Sequence, residues 1–232
     1  MTPPPEGRSC RSPEPVRPRW SPTGPLADAR SGGAAYWEAA AATFDDAPDH
    51  GLRDPAVRAA WAARLRGWLP APPAGLLDLG CGTGSLALLA AEAGHRVLGV
   101  DHAPAMIARA RAKLAGHDAR FLPGDAALPP VGEERFDTVL VRHVLWALPD
   151  PPAVLRHWAG LLAPGGRLVL IEGRWGEADP TGVAATELLA CIRELGLGFR
   201  VHVEDLSGDP ALWGREVSDE RYALIAGLLG AA

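Results

Sequence analysis

An apolar run that ends in an acid and opens into three alternating glycines constrains this chain most: LLDLGCGTGSLALLA, residues 76–90. Residues 76–79 have the length of a buried strand, and the Ala/Leu-rich segment after Gly84 is typical of a helix. Glycines lack Cβ and adopt positive φ, so the chain can turn tightly beneath a ligand. Backbone N–H groups at the start of the next helix can then bind an anion. The stretch predicts a strand–turn–helix unit built around a polar ligand.

Short apolar runs and helical stretches alternate along most of the chain after this loop. One helical stretch carries clear signals, with Asp150 at its N-cap, Pro151 at its first position and PGG at 164–166 as its stop. Strands that alternate with helices form right-handed crossovers and a parallel sheet. Two β-rich runs, 199–206 and 221–228, predict a terminal hairpin beside it. The parallel strands are predicted at 76–79, 96–100, 119–122, 136–141 and 167–171.

The chain before the glycine loop divides into a tail and a helical cap. Residues 1–33 are rich in Pro, Arg, Ser and Gly and lack apolar periodicity, which predicts a disordered tail. Residues 34–232 are predicted to form one domain, because a chain of 232 residues suits a single core. Within that domain, a helical cap at 34–70 precedes a core at 76–232. Asp54 is the expected N-cap of the last helix of the cap.

Composition excludes several classes of function. The formal net charge of −5 gives no basic field for nucleic acid or an anionic membrane. The three cysteines are scattered without a CxxC pair, so we expect neither a zinc site nor a disulfide framework, and we expect a cytoplasmic location. No apolar run is long enough to span a bilayer. A small-molecule substrate fits best, and nothing in the sequence indicates an oligomeric state.

Glycine spacing and three acids narrow the identity of the ligand. The dinucleotide fingerprint GxGxxG would need a third glycine where Ser85 stands, and no GK[ST] of a P-loop is present. Asp101 ends the second predicted strand, where a carboxylate can accept both hydroxyls of a ribose; alternatively it only begins the next helix. Asp125 follows the third strand, where it can accept from an adenine amino group or simply form a turn. With Asp78, acids end three successive strands, which favours a nucleoside site.

These segments together resemble the class I S-adenosylmethionine-dependent methyltransferases. The resemblance implies a Rossmann-like α/β fold with a seven-stranded, mostly parallel sheet, an antiparallel last strand and helices on both faces. It also implies S-adenosylmethionine as the cofactor. The motifs that carry it are LLDLGCGTG (76–84), VLGVDHAPAMIARAR (97–111), GDAALP (124–129), FDTVLVRHVLWALPDP (136–151) and LLAPGGRLVLIE (161–172).

The resemblance assigns the methionine part of the cofactor to the glycine loop. Asp78 would anchor this loop and approach the methionine amino group, and Arg142 would bring its backbone carbonyl to the same group. Tyr36 resembles a residue that reaches the methionine carboxylate, although a packing role is equally consistent with its position. The cofactor would pass above Gly80, Gly82 and Gly84.

The same resemblance assigns the adenosine part to the next two strand ends. Asp101 would hold the ribose, and His102 and Met106 would flank the adenine. Asp125 and the backbone N–H of Ala126 would recognise the adenine edge. Met106 also has a plain interpretation as a core residue of its helix, and both roles are compatible.

The methyl acceptor should lie above the strand ends, beneath the N-terminal helices. His143 follows the fourth strand and is the first candidate for a general base, with a structural histidine as the alternative. His50 is a second candidate, and Tyr36, Trp146 and Trp175 are candidate lining residues. Amino-directed nucleic-acid methyltransferases carry [DNS]PP[YFW] after this strand, where RHVL stands here. We therefore expect a small-molecule acceptor, such as a specialised metabolite or a quinone-like precursor.

Three other functions compete with methyl transfer. A relative that binds the cofactor but catalyses decarboxylation or cyclisation would share every motif above. A NAD-dependent oxidoreductase lacks support, since the third dinucleotide glycine and a Tyr-xxx-Lys pair are missing. A binding module without catalysis is disfavoured by the intact set of cofactor acids.

Overall fold

The computed structural model describes residues 33–176 and 181–228. The expected disordered tail at 1–33 lies, apart from Gly33, outside the described residues. The strands are β1 Gly75–Leu79, β2 Arg96–Asp101, β3 Ala119–Pro123, β4 Phe136–Arg142, β5 Leu162–Trp175, β6 Thr181–Gly182, β7 Arg200–Asp205 and β8 Glu220–Gly227. The helices are α1 Gly33–Ala40, α2 Pro48–Gly51, α3 Pro55–Trp68, α4 Ser85–Glu92, α5 Pro104–Lys113, α6 Pro151–Gly160, α7 Ala185–Glu194 and α8 Pro210–Trp213, with 3-10 turns at Phe44–Asp46 and Leu145–Ala147.

The strands form one sheet in the order β3-β2-β1-β4-β5-β8-β7, with the two-residue β6 paired to β5. Strands β1 to β5 run parallel to one another, whereas β8 is antiparallel to both β5 and β7. The predicted α/β class, with an antiparallel last strand and a terminal hairpin, is confirmed. The strand order reverses between β1 and β4, and ligands of open α/β sheets bind at such a switch point.

Strand β5 begins earlier than the sequence predicts. The PGG sequence at 164–166 was expected to stop the preceding helix, but it lies within the first part of β5. The pairing of β5 with β4 is irregular here, since Phe136 faces Leu162 whereas Thr138 faces Arg167. The extra residues on β5 are accommodated in a bulge, where glycine relieves the backbone constraint.

Helices cover both faces of the sheet, as predicted. Successive strand residues belong to opposite sides, so Leu76 lies in one apolar cluster and Leu77 in the other. Helices α3, α4 and α5 pack on the side of Leu76, and α6 and α7 pack on the side of Leu77. Because both faces of the central strands β1, β4 and β5 are largely buried, these strands are mostly apolar in their interior and carry their polar residues near the ends.

Helix α3 starts and packs as its sequence predicts. The Asp54 carboxylate accepts hydrogen bonds from the backbone N–H groups of Ala56, at 2.7 Å, and Val57, at 3.2 Å. The predicted apolar face is buried and consists of Val57, Trp61, Leu65 and Trp68. Across 33–176 and 181–228, none of the helices combines the length and apolar character that a bilayer crossing requires.

Candidate active site

A cavity of about 630 Å³ lies at the carboxyl ends of the central strands, beneath the N-terminal segment. Its volume falls within the range of about 300–1,000 Å³ that is typical of small-molecule sites. The glycine loop and the ends of β1 and β2 line one half, and the segment after β4, the end of β5 and residues near β8 line the other. Polar and aromatic lining residues include Trp37, Phe44, Asp49, His50, Asp78, Thr83, Asp101, His102, Arg142, His143, Trp146, Trp175, Arg215 and Arg221.

The glycine loop has the left-handed conformation expected of it. Gly80, Gly82 and Gly84 have φ angles of 69°, 54° and 80°. A Cβ atom on Gly80 would lie 2.3 Å from Cγ2 of Val144, so only glycine lets the loop lie against the segment after β4. The loop is also fixed to β2, since the N–H of Gly80 donates to the carbonyl of Val100 at 2.7 Å. Sequence and packing thus place the backbone directly beneath the cavity.

Asp78 is a buried acid that faces the cavity without a hydrogen-bond partner among the described residues. It is only 4% exposed, and it lies at the end of β1. Its pKa is raised to about 7, mainly by burial and also by the nearby charge of Asp101, while the charge of Arg142 opposes the shift. A cationic ligand group beside Asp78 would restore its ionised form.

Asp101 joins the glycine loop to the next helix. One carboxylate oxygen accepts from the N–H of Gly82 and the other from the N–H of Ala103, each at 2.9 Å. Burial raises the pKa of Asp101, and these backbone bonds oppose the shift. Each carboxylate oxygen can accept more than one hydrogen bond, so Asp101 keeps capacity for ligand hydroxyls. Asp101 therefore holds the glycine loop in place and also borders the cavity.

Three of the predicted adenine contacts line the cavity, and one does not. His102 and Met106 border it, with Met106 fully buried against Ala41 and Ala103. Ala126 also lines the cavity, and its carbonyl accepts from the indole N–H of Trp158. Asp125 is exposed outside the lining, and it accepts from the N–H of Ala127 at 2.8 Å. This bond is the turn that the sequence left open as an alternative, and the adenine role of Asp125 stays a prediction.

Tyr36 lies outside the cavity lining and is 39% exposed. Its ring stands edge-on to Trp37, with the centroids 5.0 Å apart, and Trp37 is the aromatic residue of α1 that borders the cavity. Adjacent side chains on an α-helix point about 100° apart, so Trp37 borders the cavity whereas Tyr36 does not. Contact of Tyr36 with a methionine carboxylate stays a prediction.

The N-terminal segment 43–51, here called the roof, closes the cavity and was not recognised as polar machinery from the sequence. Lys113 lies 2.9 Å from Asp45 and donates to the hydroxyls of Thr83 and Ser85 at 2.9 and 2.8 Å. The Thr83 hydroxyl also donates to Asp45. Phe44 packs over Gly82 within this arrangement. The only lysine of the chain therefore ties the roof to the glycine loop.

Arg142 binds the roof through its side chain. Its guanidinium donates to the backbone carbonyl of Asp49 at 2.6 Å and to the carboxylate of Asp49 at 2.7 Å. It also lies 4.5 Å from the ring centroid of Trp61. The sequence assigned only a backbone carbonyl to Arg142, and this ion pair is an additional structural role.

His143 lies directly after β4 with a φ of 56°, and its imidazole borders the cavity. Trp175 stands edge-on to the ring at 4.8 Å, and Trp213 stacks on it at 6.2 Å. Its Nε2 is buried without a partner among the described residues. Burial, followed by the charges of Arg142 and Arg221, holds the pKa of His143 well below its usual value. The imidazole is therefore neutral near pH 7 and able to accept a proton.

His50, the second histidine candidate, also borders the cavity. Its ring stacks on Phe44 with the centroids 4.4 Å apart. Burial lowers its pKa, as does the charge of Arg142. This histidine thus combines a packing contact with a neutral, proton-accepting state.

Glu172 is a buried acid that sequence reasoning missed. One of its oxygens accepts from the N–H groups of Val144 and Leu145 at 3.0 and 2.9 Å, which holds the segment after β4. The other oxygen is buried without a described partner, and burial raises the pKa of this carboxyl to about 8. A glutamate at the end of the apolar run LVLIE was the available signal.

Comparison with known proteins finds similarity to methyltransferases. Residues 77–170 match the family model described as "Methyltransferase domain". The chain is 41% identical over 104 residues to demethylmenaquinone methyltransferase of Thermus thermophilus, an alignment that covers 43% of this chain and 47% of that protein. It is 37% identical over 117 residues to 2-phytyl-1,4-naphtoquinone methyltransferase of Thermosynechococcus vestitus, covering 48% and 52%. The chain spans about half the length of these curated relatives.

A solved structure with bound cofactor shares the fold. Magnesium protoporphyrin IX methyltransferase from Synechocystis, with bound SAM, superimposes with a TM-score of 0.57 at 23% sequence identity. The superposition covers 74% of this chain and 78% of that chain. At this identity the likeness establishes the common sheet and its helices.

Proposed function

We propose that this chain, whose residues 77–170 match the methyltransferase-domain family model, is a class I S-adenosylmethionine-dependent methyltransferase that transfers a methyl group to a small-molecule acceptor. One observation carries the proposal: the buried, unpaired carboxylate of Asp78 faces a cavity floored by a loop of left-handed glycines. When bound, S-adenosylmethionine would supply an electrophilic methyl group, activated by its positively charged sulfur, for transfer to the acceptor. The residues that surround the cavity fit such a group, because its amino group would pair with Asp78.

Each half of the cavity has a distinct task in this proposal. Asp78 binds the amino group, and Asp101 accepts the ribose hydroxyls with the lone pairs that Gly82 and Ala103 leave free. His102 and Met106 enclose the adenine, and the backbone of Ala126 meets its edge. Asp125, Tyr36 and the carbonyl of Arg142 complete the proposed set. The protein then acts mainly by alignment and exclusion of water, which can contribute roughly 7–11 kcal/mol.

Two observations support a small-molecule acceptor. The two curated relatives described above are named as methyltransferases of quinones. The roof also closes over a cavity of limited size, and the chain carries net negative charge, which suits neither a nucleic acid nor an anionic surface. We propose His143 as the base that takes the acceptor proton. Its Nδ1 is the nitrogen that would take this proton, because Nε2 is buried within the protein.

Replacement of Asp101 by Ala tests the cofactor site. We expect at least about tenfold weaker binding of S-adenosylhomocysteine in calorimetry, because charge-assisted hydrogen bonds to the ribose are lost. Asp118→Ala is the matched control, since Asp118 is exposed and lies outside the cavity lining. Unchanged affinity in a folded Asp101→Ala protein would refute the ribose role.

Incubation with a labelled methyl donor and a metabolite extract then tests transfer itself, and a product without label would contradict the proposal.

Replacement of His143 by Asn tests the proposed base. Asn tolerates the left-handed backbone at this position, so the variant removes the imidazole without adding strain. We expect a turnover lower by about 10²-fold or more with unchanged binding of S-adenosylhomocysteine. Wild-type turnover should not fall between pH 8 and 6 through this group, because its lowered pKa keeps it neutral. Normal turnover of His143→Asn would remove His143 as the base.

A further inference from the structure

We propose that the acceptor half of the cavity binds a planar aromatic molecule that carries an anionic oxygen group, such as a carboxylate. The acceptor half is defined here as His143, Trp146, Trp175, Arg215 and Arg221, all of which line the cavity. The identification of this ligand as the methyl acceptor rests on the proposed function. Its chemical class rests on the shape and the charge of the lining alone.

Aromatic rings form the walls of the acceptor half. Trp175 stands nearly perpendicular to both neighbours, with interplanar angles of 73° to His143 and 77° to Trp146. The corresponding ring centroids are 4.8 and 6.1 Å apart. Perpendicular walls of this kind offer both a ring face and a ring edge to a flat ligand, and aromatic pairs favour both arrangements. The lining therefore selects a planar ring over a flexible chain.

Positive charge in the acceptor half is only partly neutralised by the protein. Arg221 is bound to Asp219 through Nε and Nη2 at 2.8 and 3.1 Å, and its guanidinium lies 5.6 Å from the Trp175 ring centroid. Its Nη1 forms no hydrogen bond with the described residues. Arg215 is exposed and has neither an ion pair nor a side-chain hydrogen bond within 33–176 and 181–228. One arginine thus borders the cavity with its full donor set available.

The acids of the cavity do not offset this charge. Asp49 is already paired with Arg142, at 2.7 Å. Asp78 and Asp101 lie on the opposite side, at the glycine loop, where Asp78 would pair with the amino group of the proposed cofactor. Among the described lining residues, no carboxylate belongs to the acceptor half. An anionic ligand group facing Arg215 and Nη1 of Arg221 would complete the charge balance through charge-assisted hydrogen bonds.

A matched pair of ligands tests this inference. 2-Naphthoate and 2-naphthamide have the same ring and nearly the same shape, but only the first is an anion. Each is titrated by calorimetry into the full-length protein, with and without saturating S-adenosylhomocysteine. We expect the acid to bind at least about tenfold more tightly than the amide, and its affinity to fall as salt increases. Equal affinities, or no binding of either ligand, would overturn the proposal.

Arg215→Gln identifies the source of the preference. Since Arg215 is exposed, the variant should keep the thermal midpoint of the wild type while it binds the acid about tenfold more weakly and the amide unchanged. Arg193→Gln is the matched control, because Arg193 is an exposed arginine of α7 outside the cavity. Full retention of acid binding by Arg215→Gln would also overturn the proposal. If the wild type prefers the acid but does not bind S-adenosylhomocysteine, the result would count against the proposed function and not against this inference. The two can be told apart because the naphthoate comparison is also made without S-adenosylhomocysteine.

Discussion

Gly80 shows how a single residue links local backbone conformation to the whole site. Its φ of 69° already disfavours a side chain, and its neighbour Val144 leaves no space for one. Val144 is itself held by the Glu172 carboxylate, so the glycine loop and the segment after β4 fix one another. This contact holds Asp78 and the acceptor residues at the same cavity.

Gly80→Ala should therefore damage both stability and cofactor binding. The left-handed backbone and the overlap with Val144 together predict a loss of about 1–3 kcal/mol in the free energy of unfolding. Gly116→Ala is the matched control, since Gly116 also has positive φ, 90°, but open space around its Cβ position. We expect the control to lose about 1 kcal/mol and to keep its affinity for S-adenosylhomocysteine. Chemical denaturation and calorimetry of both variants measure the difference, and equal effects would contradict the steric argument.

Residue roles could be predicted from the sequence where a motif fixes the backbone, and not where a side-chain direction decides. Asp78 and Asp101 line the cavity, as do Gly80 and Gly82. Gly84 does not line it, and its contact with the cofactor stays a prediction. Asp125 and Tyr36 do not line it, because a turn and a helix rotation direct their side chains elsewhere. Arg215 carried no signal at all, since its relation to the cavity arises only when β8 folds beside β5.

At the scale of elements, the roof is the part of the site whose attachment is most open to change. It is a 3-10 turn and a four-residue helix without a fully buried residue, and it contacts the core through polar bonds of Asp45 and Asp49 and through the packing of Phe44 over Gly82. Elements with few buried apolar contacts open most readily. We therefore expect the ion pairs of the roof to control how fast the cofactor leaves.

Asp45→Asn tests this control. The variant loses the charge that holds Lys113 and keeps the size of the side chain, so roof closure weakens while the core is unchanged. Dissociation of S-adenosylhomocysteine, followed by stopped-flow fluorescence, should be about tenfold faster if about 1.4 kcal/mol of closure is lost. Arg53→Gln removes an exposed ion pair with Asp46 in the same segment and should change the rate little. Equal rates in Asp45→Asn and wild type would exclude a gating role for this pair.

The elements themselves were largely predictable, because their signals are local. The five parallel strands, the Asp54 and Asp150 caps and the terminal hairpin all follow from patterns within a few residues. The early start of β5 was not predictable, since it depends on an irregular pairing with β4. The sequence predicted that N-terminal helices cover the site, but it did not predict the polar bonds of the roof, because the partners of Asp45 and Asp49 lie far away along the chain.

At the scale of the whole molecule, the buried carboxyls of the site give the stability of the fold an unusual dependence on pH. Burial raises the pKa values of Asp78 and Glu172 to about 7 and about 8. Both groups are therefore protonated in the folded protein over a pH range in which they are ionised in the unfolded chain. The native state binds more protons in that range, so both groups make stability fall as pH rises.

Glu172→Gln isolates one of these groups. Glu172 has a pKa near 4.5 when unfolded and about 8 when folded, so its contribution is complete below pH 4.5 and is lost as pH rises toward 8. Glutamine can still accept from Val144 and Leu145 but does not titrate. The free energy of unfolding of the wild type should decrease relative to the variant by on the order of 1 kcal/mol per pH unit between pH 5 and 8. Urea denaturation at several pH values measures this difference, to which Asp78 contributes equally in both proteins. Parallel curves would mean that Glu172 is ionised in the folded state and that the segment after β4 is held by a buried charge.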